Sequence, residues 1–263
     1  MSDFFIAEPL KKYFTDDPDK AFEKIFHLEG EDYRLVKARR TFRFELDGKG
    51  YFAKVHRGIG WKEIFKDLFQ FKLPILGAQN EFSALELLNA KNIPTMKSAA
   101  FGKRGWNPAR QHSFLVTEEL ANMVSLEDFV KDERFPALRR VIFDTLASSL
   151  GAMHSAGVNH RDCYICHYLI DPEQAVLRDV KLFVIDLHRA QIRKSVPFRY
   201  LVKDVAGILF SSFDLKPSRR ELLRFAAIYS HANLQIERDG RFWSAVSKAA
   251  RKLYKKEFGR DPQ

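Results

Sequence analysis

Apolar and polar positions along this chain follow two periods, and the change between them falls near residue 120. Over 32–46, Phe42, Phe44 and Leu46 alternate with Arg43 and Glu45, the period of two of a strand with one buried face. Asp47-Gly48-Lys49-Gly50 reads as a hairpin turn, and Tyr51-Phe52-Ala53-Lys54-Val55 as the return strand. A break near Arg39-Arg40 would make this a set of three strands rather than two. Two further strands, over 96–102 and 113–119, flank a Gly105-Trp106-Asn107-Pro108 turn. Beyond residue 120 the period is helical. Pro136 opens a long helix with Leu138, Val141, Ile142, Leu146, Leu150 and Met153 on one face, and Gly157 ends it. Helices follow near 200–212, at 218–230, where Ser218 and Glu221 form a capping box, and at 241–256. Short buried strands are expected at 168–170 and 182–185, with Asp171-Pro172 as a turn between them.

Three helices lie in the strand-rich half. Asp17-Pro18 reads as an N-cap followed by proline at the first helical position, with Gly30 as the stop. Trp61, Ile64, Phe65, Leu68 and Phe69 form an apolar stripe at helical spacing, flanked by Lys62, Lys66 and Lys72. That stripe has two readings, a helix packed on its own lobe or an amphipathic surface for a membrane or a partner. Asn80 is expected to cap a helix over 81–90 that turns Phe82, Leu85 and Leu88 inward. The pattern as a whole predicts an α+β chain of two lobes. Its strand-rich N-lobe spans 1–120, with an inserted amphipathic segment at 56–80, and its helical C-lobe spans 121–263.

Composition narrows the class. With 263 residues the chain can bury a substantial core. A formal charge of +10 favours an anionic partner: nucleic acid, an anionic membrane, a phosphorylated glycolipid or an acidic protein. No window approaches the ~18 uninterrupted apolar residues of a spanning helix. Residues 1–10 carry Asp3 and Glu8 and do not read as a signal peptide. The 2 cysteines lie three apart, which excludes a disulfide framework and fits a reduced, cytosolic compartment.

The densest chemistry stands at His160-Arg161-Asp162-Cys163-Tyr164-Ile165-Cys166-His167. One reading is a zinc knuckle, with His160, Cys163, Cys166 and His167 as ligands, but all four crowd into one turn and no second pair exists. The other is a phosphoryl-transfer loop, for which the remaining parts occur in order. Lys54, on the strand after the hairpin, would hold ATP phosphates, and Glu81, on the next helix, would fix that lysine. Glu118 and Leu120, in the run leading out of the strand-rich half, complete the nucleotide-binding set. Asp162 would accept the proton of the attacking hydroxyl or orient it. Asp186, at the end of an apolar strand, would hold magnesium, and His167 is a second candidate metal ligand. His160, Arg161 and Asp204 would support the loop. The usual glycine pattern over the nucleotide is missing: Ala38-Arg39-Arg40-Thr41-Phe42 has no glycine, and Arg39 or Arg40 would supply charge instead. Asp186-Leu187-His188 also lacks the glycine of regulated kinases. These two departures motivate an alternative, a catalytically inactive kinase-like module that binds a membrane or an acidic partner.

The loop His160 to His167, preceded by Met153-His154-Ser155-Ala156-Gly157-Val158-Asn159, resembles the signature of the lipopolysaccharide core heptose(I) kinases, and the resemblance runs over nearly the whole chain. It implies a protein-kinase-like fold and ATP-dependent phosphorylation of the first heptose of the inner core. The work would be done at the cytoplasmic face of the inner membrane of Gram-negative bacteria. It implies Asp162 as the catalytic aspartate, Lys54 as the ATP-contacting lysine, Glu81 as its partner and Asp186 as the Mg2+ ligand. The partners implied are the core acceptor at the membrane surface and acidic acyl carrier protein, not nucleic acid. Cys163 and Cys166 are then packed thiols.

Overall fold

A computed structural model of the chain describes residues 4–14, 17–36, 38–69, 74–177, 179–233 and 240–262. They group into two compact units, Met1–Glu86 with Met96–Ala121, and Leu87–Thr95 with Asn122–Gln263. Residues 87–95, counted with the strand-rich half on sequence, group with the helical unit.

The first unit is built on one antiparallel sheet. Its strands are β1 (Phe4–Ile6), β2 (Glu31–Val36), β3 (Arg39–Leu46), β4 (Lys49–His56), β5 (Ser98–Arg104) and β6 (His112–Glu118), in the order β1-β5-β6-β4-β3-β2. The run over 32–46 does break at Arg39, so three strands form where the pattern left two or three. Asp47 and Gly48, at φ 49° and 72°, make the tight turn between β3 and β4. Phe42, Phe44, Tyr51, Ala53 and Val55 point to the face covered by Phe22, Ile25 and Phe26. Those three lie on α2 (Pro18–Phe26), which follows the short α1 (Glu8–Lys11). The Asp17 carboxylate caps α2 by accepting from the amides of Asp19 and Lys20.

Two helices follow β4: α3 (Gly60–Phe69) and α4 (Gln79–Ala90). The α3 stripe is divided. Ile64 is buried, whereas Trp61, Phe65 and Phe69 are 49%, 51% and 84% exposed. The Leu68 side chain and Lys72 lie outside the described residues. Helix α4 begins one residue before the expected cap. Gln79 donates to the Ser83 hydroxyl one turn on, and Asn80 sits inside the first turn.

In the helical unit, β7 (Val124–Ser125) leads into α5 (Leu126–Phe129), capped by Ser125, and then α6 (Phe135–Ser155). Leu138, Ile142, Leu146, Leu150 and Met153 of α6 are buried as its stripe demands. After β8 (Val158–Asn159) come β9 (Tyr168–Ile170), α7 (Pro172–Val176), β10 (Leu182–Val184), β11 (Gln191–Ile192), α8 (Phe198–Ser212), α9 (Arg219–Ala232) and α10 (Gly240–Phe258). The Asp171-Pro172 pair is not a simple turn. Its carboxylate accepts from the amides of Glu173 and Gln174 and starts α7, the same local chemistry as Asp17-Pro18. Strands β10, β9 and β7 form one antiparallel sheet, and β11 pairs with β8. That second pairing needs Gly157: at φ 83° it lets the chain turn, and a Cβ there would stand 2.0 Å from the Arg193 carbonyl oxygen. Helix α6 packs on α9, and α8 on α10.

Candidate active site

The chemistry-bearing residues fall into one group in each unit. In the first, β4 lies inside the sheet, with Lys54 opposite Thr41 of β3 and Leu115 of β6. Ala53 packs into the core and Lys54 points the other way, as alternation requires. Its ammonium donates to the Glu81 carboxylate at 2.6 Å. Glu81 is 1% exposed, and its second oxygen has no hydrogen-bond partner among the described residues. A buried carboxylate with one cation beside it is held in place by that cation. Its helix is fixed by Phe82, whose ring stacks on Phe101 at 4.2 Å and 5°. Glu118 ends β6, where its carboxylate meets Lys49 at 2.7 Å, and Leu120 lies two residues further on, half-buried. Arg40 is engaged within the unit. It donates to Asp32 at 2.6 Å and lies over the Phe42 ring at 4.3 Å.

The helical unit carries the rest. Asp204, on α8, is 1% exposed and accepts from the amides of His160 at 2.6 Å and Arg161 at 2.9 Å. One buried carboxylate thus fixes the backbone immediately before Asp162. One turn along α8, Gly207 allows the helix to touch the loop directly, because a Cβ there would lie 2.2 Å from the Cys163 carbonyl oxygen. His154 Nε2 stands 3.3 Å from the same Asp204 carboxylate, and its Nδ1 lies 2.7 Å from the buried Tyr229 hydroxyl. The Asp162 carboxylate is held by Arg189, whose guanidinium nitrogen donates to both oxygens at 3.0 and 2.9 Å.

The loop is also tied to the strand that ends in Asp186. His160 Nε2–H donates to the Ile185 carbonyl at 2.9 Å, and the Ile185 amide donates to the His167 carbonyl at 2.9 Å. Burial, opposed by the charge of Asp204, draws the His160 imidazole below its ordinary range, so it serves as a neutral donor. His167 Nδ1–H donates to the Asp162 carbonyl at 2.7 Å, and the His160 and His167 rings stack at 5.4 Å. For His167, burial is the largest single influence and disfavours charge. The contact with Cys166, the Asp162 carbonyl and the charges of Cys166 and Asp186 together outweigh it, and its pKa is pushed up to about 9. Asp186 adopts a left-handed backbone at φ 59°, with His188 Nδ1 2.7 Å from one carboxylate oxygen and His167 Nε2 3.7 Å from the other.

The four side chains that suggested a zinc knuckle do not all meet at one point: His167 stacks on His160 and contacts Cys166, whereas Cys163 meets Tyr168. Cys163 is buried with its sulfur 3.7 Å from the Tyr168 hydroxyl, and burial pushes its thiol well above the ordinary range. Among the described residues, no group of three or more His, Cys, Asp or Glu side chains is placed to hold a metal ion. Asp186 still suits magnesium, which usually takes one or two protein carboxylates and completes its shell with phosphate and water oxygens. Arg189 is a site residue that the sequence does not announce. The only signal for Arg189 was its position three residues after Asp186, which carries no weight without the fold.

The antiparallel sheet bearing Lys54 and the helical unit bearing Asp162 put this chain in the protein-kinase-like class of phosphotransferases. A family model described as the lipopolysaccharide kinase (Kdo/WaaP) family matches residues 23–229. Over 259 residues the chain is 47% identical to the lipopolysaccharide core heptose(I) kinase WaaP of Pseudomonas aeruginosa, covering 95% of this chain and 96% of that protein. It is 43% identical over 219 residues to the protein of the same name from Escherichia coli, covering 81% and 83% of the two chains. A solved structure of WaaP in complex with acyl carrier protein is similar with a TM-score of 0.78 and 41% identity, over 97% of this chain and 100% of that one. The chain belongs to the lipopolysaccharide kinase (Kdo/WaaP) family.

Proposed function

We propose that this protein is a sugar kinase that transfers the terminal phosphoryl group of ATP to the first heptose of the lipopolysaccharide inner core. The observation that carries the site assignment is the loop at Asp162. Its backbone is bound to a buried carboxylate, its side chain is oriented by Arg189, and it is tied at both ends to the strand of Asp186. In this reading Asp162 accepts or orients the proton of the attacking hydroxyl. Lys54, fixed by Glu81, binds nucleotide phosphates, and Glu118 and Leu120 contribute to holding the nucleotide. Asp186, with His167 beside it, is the residue that would hold a divalent cation; bound there, Mg2+ neutralises charge on the phosphates. At neutral pH His167 is protonated, so ligation through its Nε2 would require release of that proton. His160, Arg161 and Asp204 support the loop. An inactive module has nothing in its favour beyond the glycine-poor loop and Asp186-Leu187-His188, while the full-length relatives are named as kinases.

Phosphate transfer to purified core acceptor, compared between the wild type and Asp162→Ala, tests the reading. Full activity in the variant would overturn the assignment of the base.

The acceptor places the reaction at the cytoplasmic face of the inner membrane. Among the described residues no helix is long and apolar enough to cross it, so access from the membrane surface is the proposed mode. Acyl carrier protein is the second proposed partner. The acyl chain of such a carrier needs an apolar enclosure, and the helical unit contains a cavity of about 380 Å³ lined by Val205, Leu209, Leu222, Phe225, Trp243 and Val246 among others. Thermal melting with acylated and unacylated carrier checks this: stabilisation by the acylated form alone, abolished by Ala226→Trp, is expected.

A further inference from the structure

Four cations of the helical unit, Arg161, Arg189, Arg193 and Lys203, act electrostatically on one another or on Asp162. Arg189 is committed to Asp162. Arg193 is committed to the Asn159 and Gln191 side chains, at 2.6 Å each, where β8 pairs with β11. Arg161 and Lys203 are different. Arg161 sits in the left-handed region at φ 75°, with its amide on Asp204, and Lys203 is the residue before Asp204 on α8. Among the described residues, neither the Arg161 guanidinium nor the Lys203 ammonium has a hydrogen-bonded or ion-paired protein partner.

Both are nevertheless within electrostatic reach of the same groups. Burial first, then the charge of Arg189, and after it that of Arg193, draw Arg161 below its ordinary range against the pull of Asp162. Desolvation of its ammonium likewise lowers Lys203, although the residue as a whole is exposed. Asp162 and Asp204 oppose that shift, while Arg189 and Arg161 add to it. Two carboxylates, Asp162 and Asp204, thus stand against four cations, Arg161, Arg189, Arg193 and Lys203. Like charges crowded together and partly removed from water destabilise the empty site unless an anion meets them. The cluster's own two carboxylates leave it with an excess of positive charge.

We infer that Arg161 and Lys203, backed by Arg189 and Arg193, form an anion subsite beside Asp162 that binds an anionic oxygen group, carboxylate or phosphate, on the acceptor saccharide. The inference rests on the phosphotransfer reading above and specifies which part of the acceptor is recognised. An anionic group bound there sets the distance of the reacting hydroxyl from Asp162, and a neutral sugar gains nothing from the subsite. Arg161 supplies a planar fork and Lys203 a mobile point charge, a pairing suited to an oxyanion approached from two sides.

The test is steady-state kinetics with the full-length protein, ATP and purified core saccharide. Lys203→Gln is expected to lower kcat/KM for the acceptor at least tenfold, with the KM for ATP moving less than twofold. Lys203→Arg should recover most of the loss. Two acceptor preparations identify the group: one with its carboxylates methyl-esterified, one treated with phosphatase. Whichever modification costs the wild type the same factor and leaves Lys203→Gln unaffected names the anion. Arg161→Gln, checked for an unchanged melting temperature, should behave as Lys203→Gln does. An unchanged acceptor kcat/KM in Lys203→Gln, a rise confined to the KM for ATP, or indifference of the wild type to both modifications would overturn the subsite. A wild type that transfers no phosphate would instead sink the function. The subsite would then be read by calorimetric binding of the same saccharides to the wild type and Lys203→Gln, with equal affinities refuting it.

Discussion

Lys54 and Asp162 are held in place by opposite means. Lys54 is positioned by a contact between side chains, its ammonium on a strand and a nearly fully buried carboxylate on a helix. Asp162 depends first on backbone: the amides of the two residues before it end on the Asp204 carboxylate and its own carbonyl accepts from His167, while Arg189 only orients the carboxylate. The first arrangement positions a charge and leaves the strand free of it. The second positions a stretch of chain, so every side chain on the loop inherits its accuracy. A side-chain pair can be removed as a pair, whereas a carboxylate that serves amides cannot be matched by any second substitution.

The largest expected effect falls on the loop. Asp162→Asn keeps the shape of the side chain and removes the base, and phosphate transfer should fall about a thousandfold, in the range typical of general-base groups. Circular dichroism should remain native. A drop of less than tenfold would move the chemistry elsewhere.

Next is the buried pair. Lys54→Met leaves Glu81 charged and without its cation, at a cost of about 3 to 5 kcal/mol in denaturant unfolding. Adding Glu81→Leu should restore most of that stability while activity stays lost. If the double variant is as unstable as the single one, the contrast between the two groups fails.

Asp204→Ala should cost about 2 to 3 kcal/mol by leaving buried amides without an acceptor. Here no substitution at His160 or Arg161 should restore stability, because the donors are backbone groups. Recovery by a side-chain change would break the comparison from the other side.

A smaller effect concerns pH. The folded chain holds His167 at a raised pKa of about 9, against an ordinary 6.5. Its contribution to stability is therefore complete below 6.5 and is lost as pH rises through about 9. The melting temperature of the wild type should fall relative to His167→Gln across that window, and parallel curves would refute it. The smallest change is expected at Phe65→Glu on α3. With the ring half exposed, unfolding should shift by no more than about 0.5 kcal/mol. A loss of folded protein would show that the stripe belongs to the core.

The elements of the fold were largely legible because their signals are local. Phe42, Phe44 and the Asp47-Gly48 turn specify a hairpin within a few residues, and Ser218 and Glu221 specify a helix start within one turn. Where local signals are shared by two outcomes the sequence misled. Asp171-Pro172 suits a turn and a helix cap equally, and Asn80 is a good cap in front of a helix that begins at Gln79.

For the site, the sequence by itself determined which reactive groups exist and in what order: Lys54 on a strand facing away from the core, Glu81 on the next helix, Asp162 behind a long helix and Asp186 at a strand end. Covalent order and period two or 3.6 are enough for that. Only the tertiary structure decided what each group meets. The β8–β11 pairing and the bare backbone of Gly207 bring 189–207 onto the loop, and so Arg189 reaches Asp162, Asp204 receives two amides, and Arg161 and Lys203 come within electrostatic reach of each other and of Asp162. Such contacts join residues more than twenty-five positions apart in the chain. They follow from how the helices and strands pack, which no short stretch of sequence encodes.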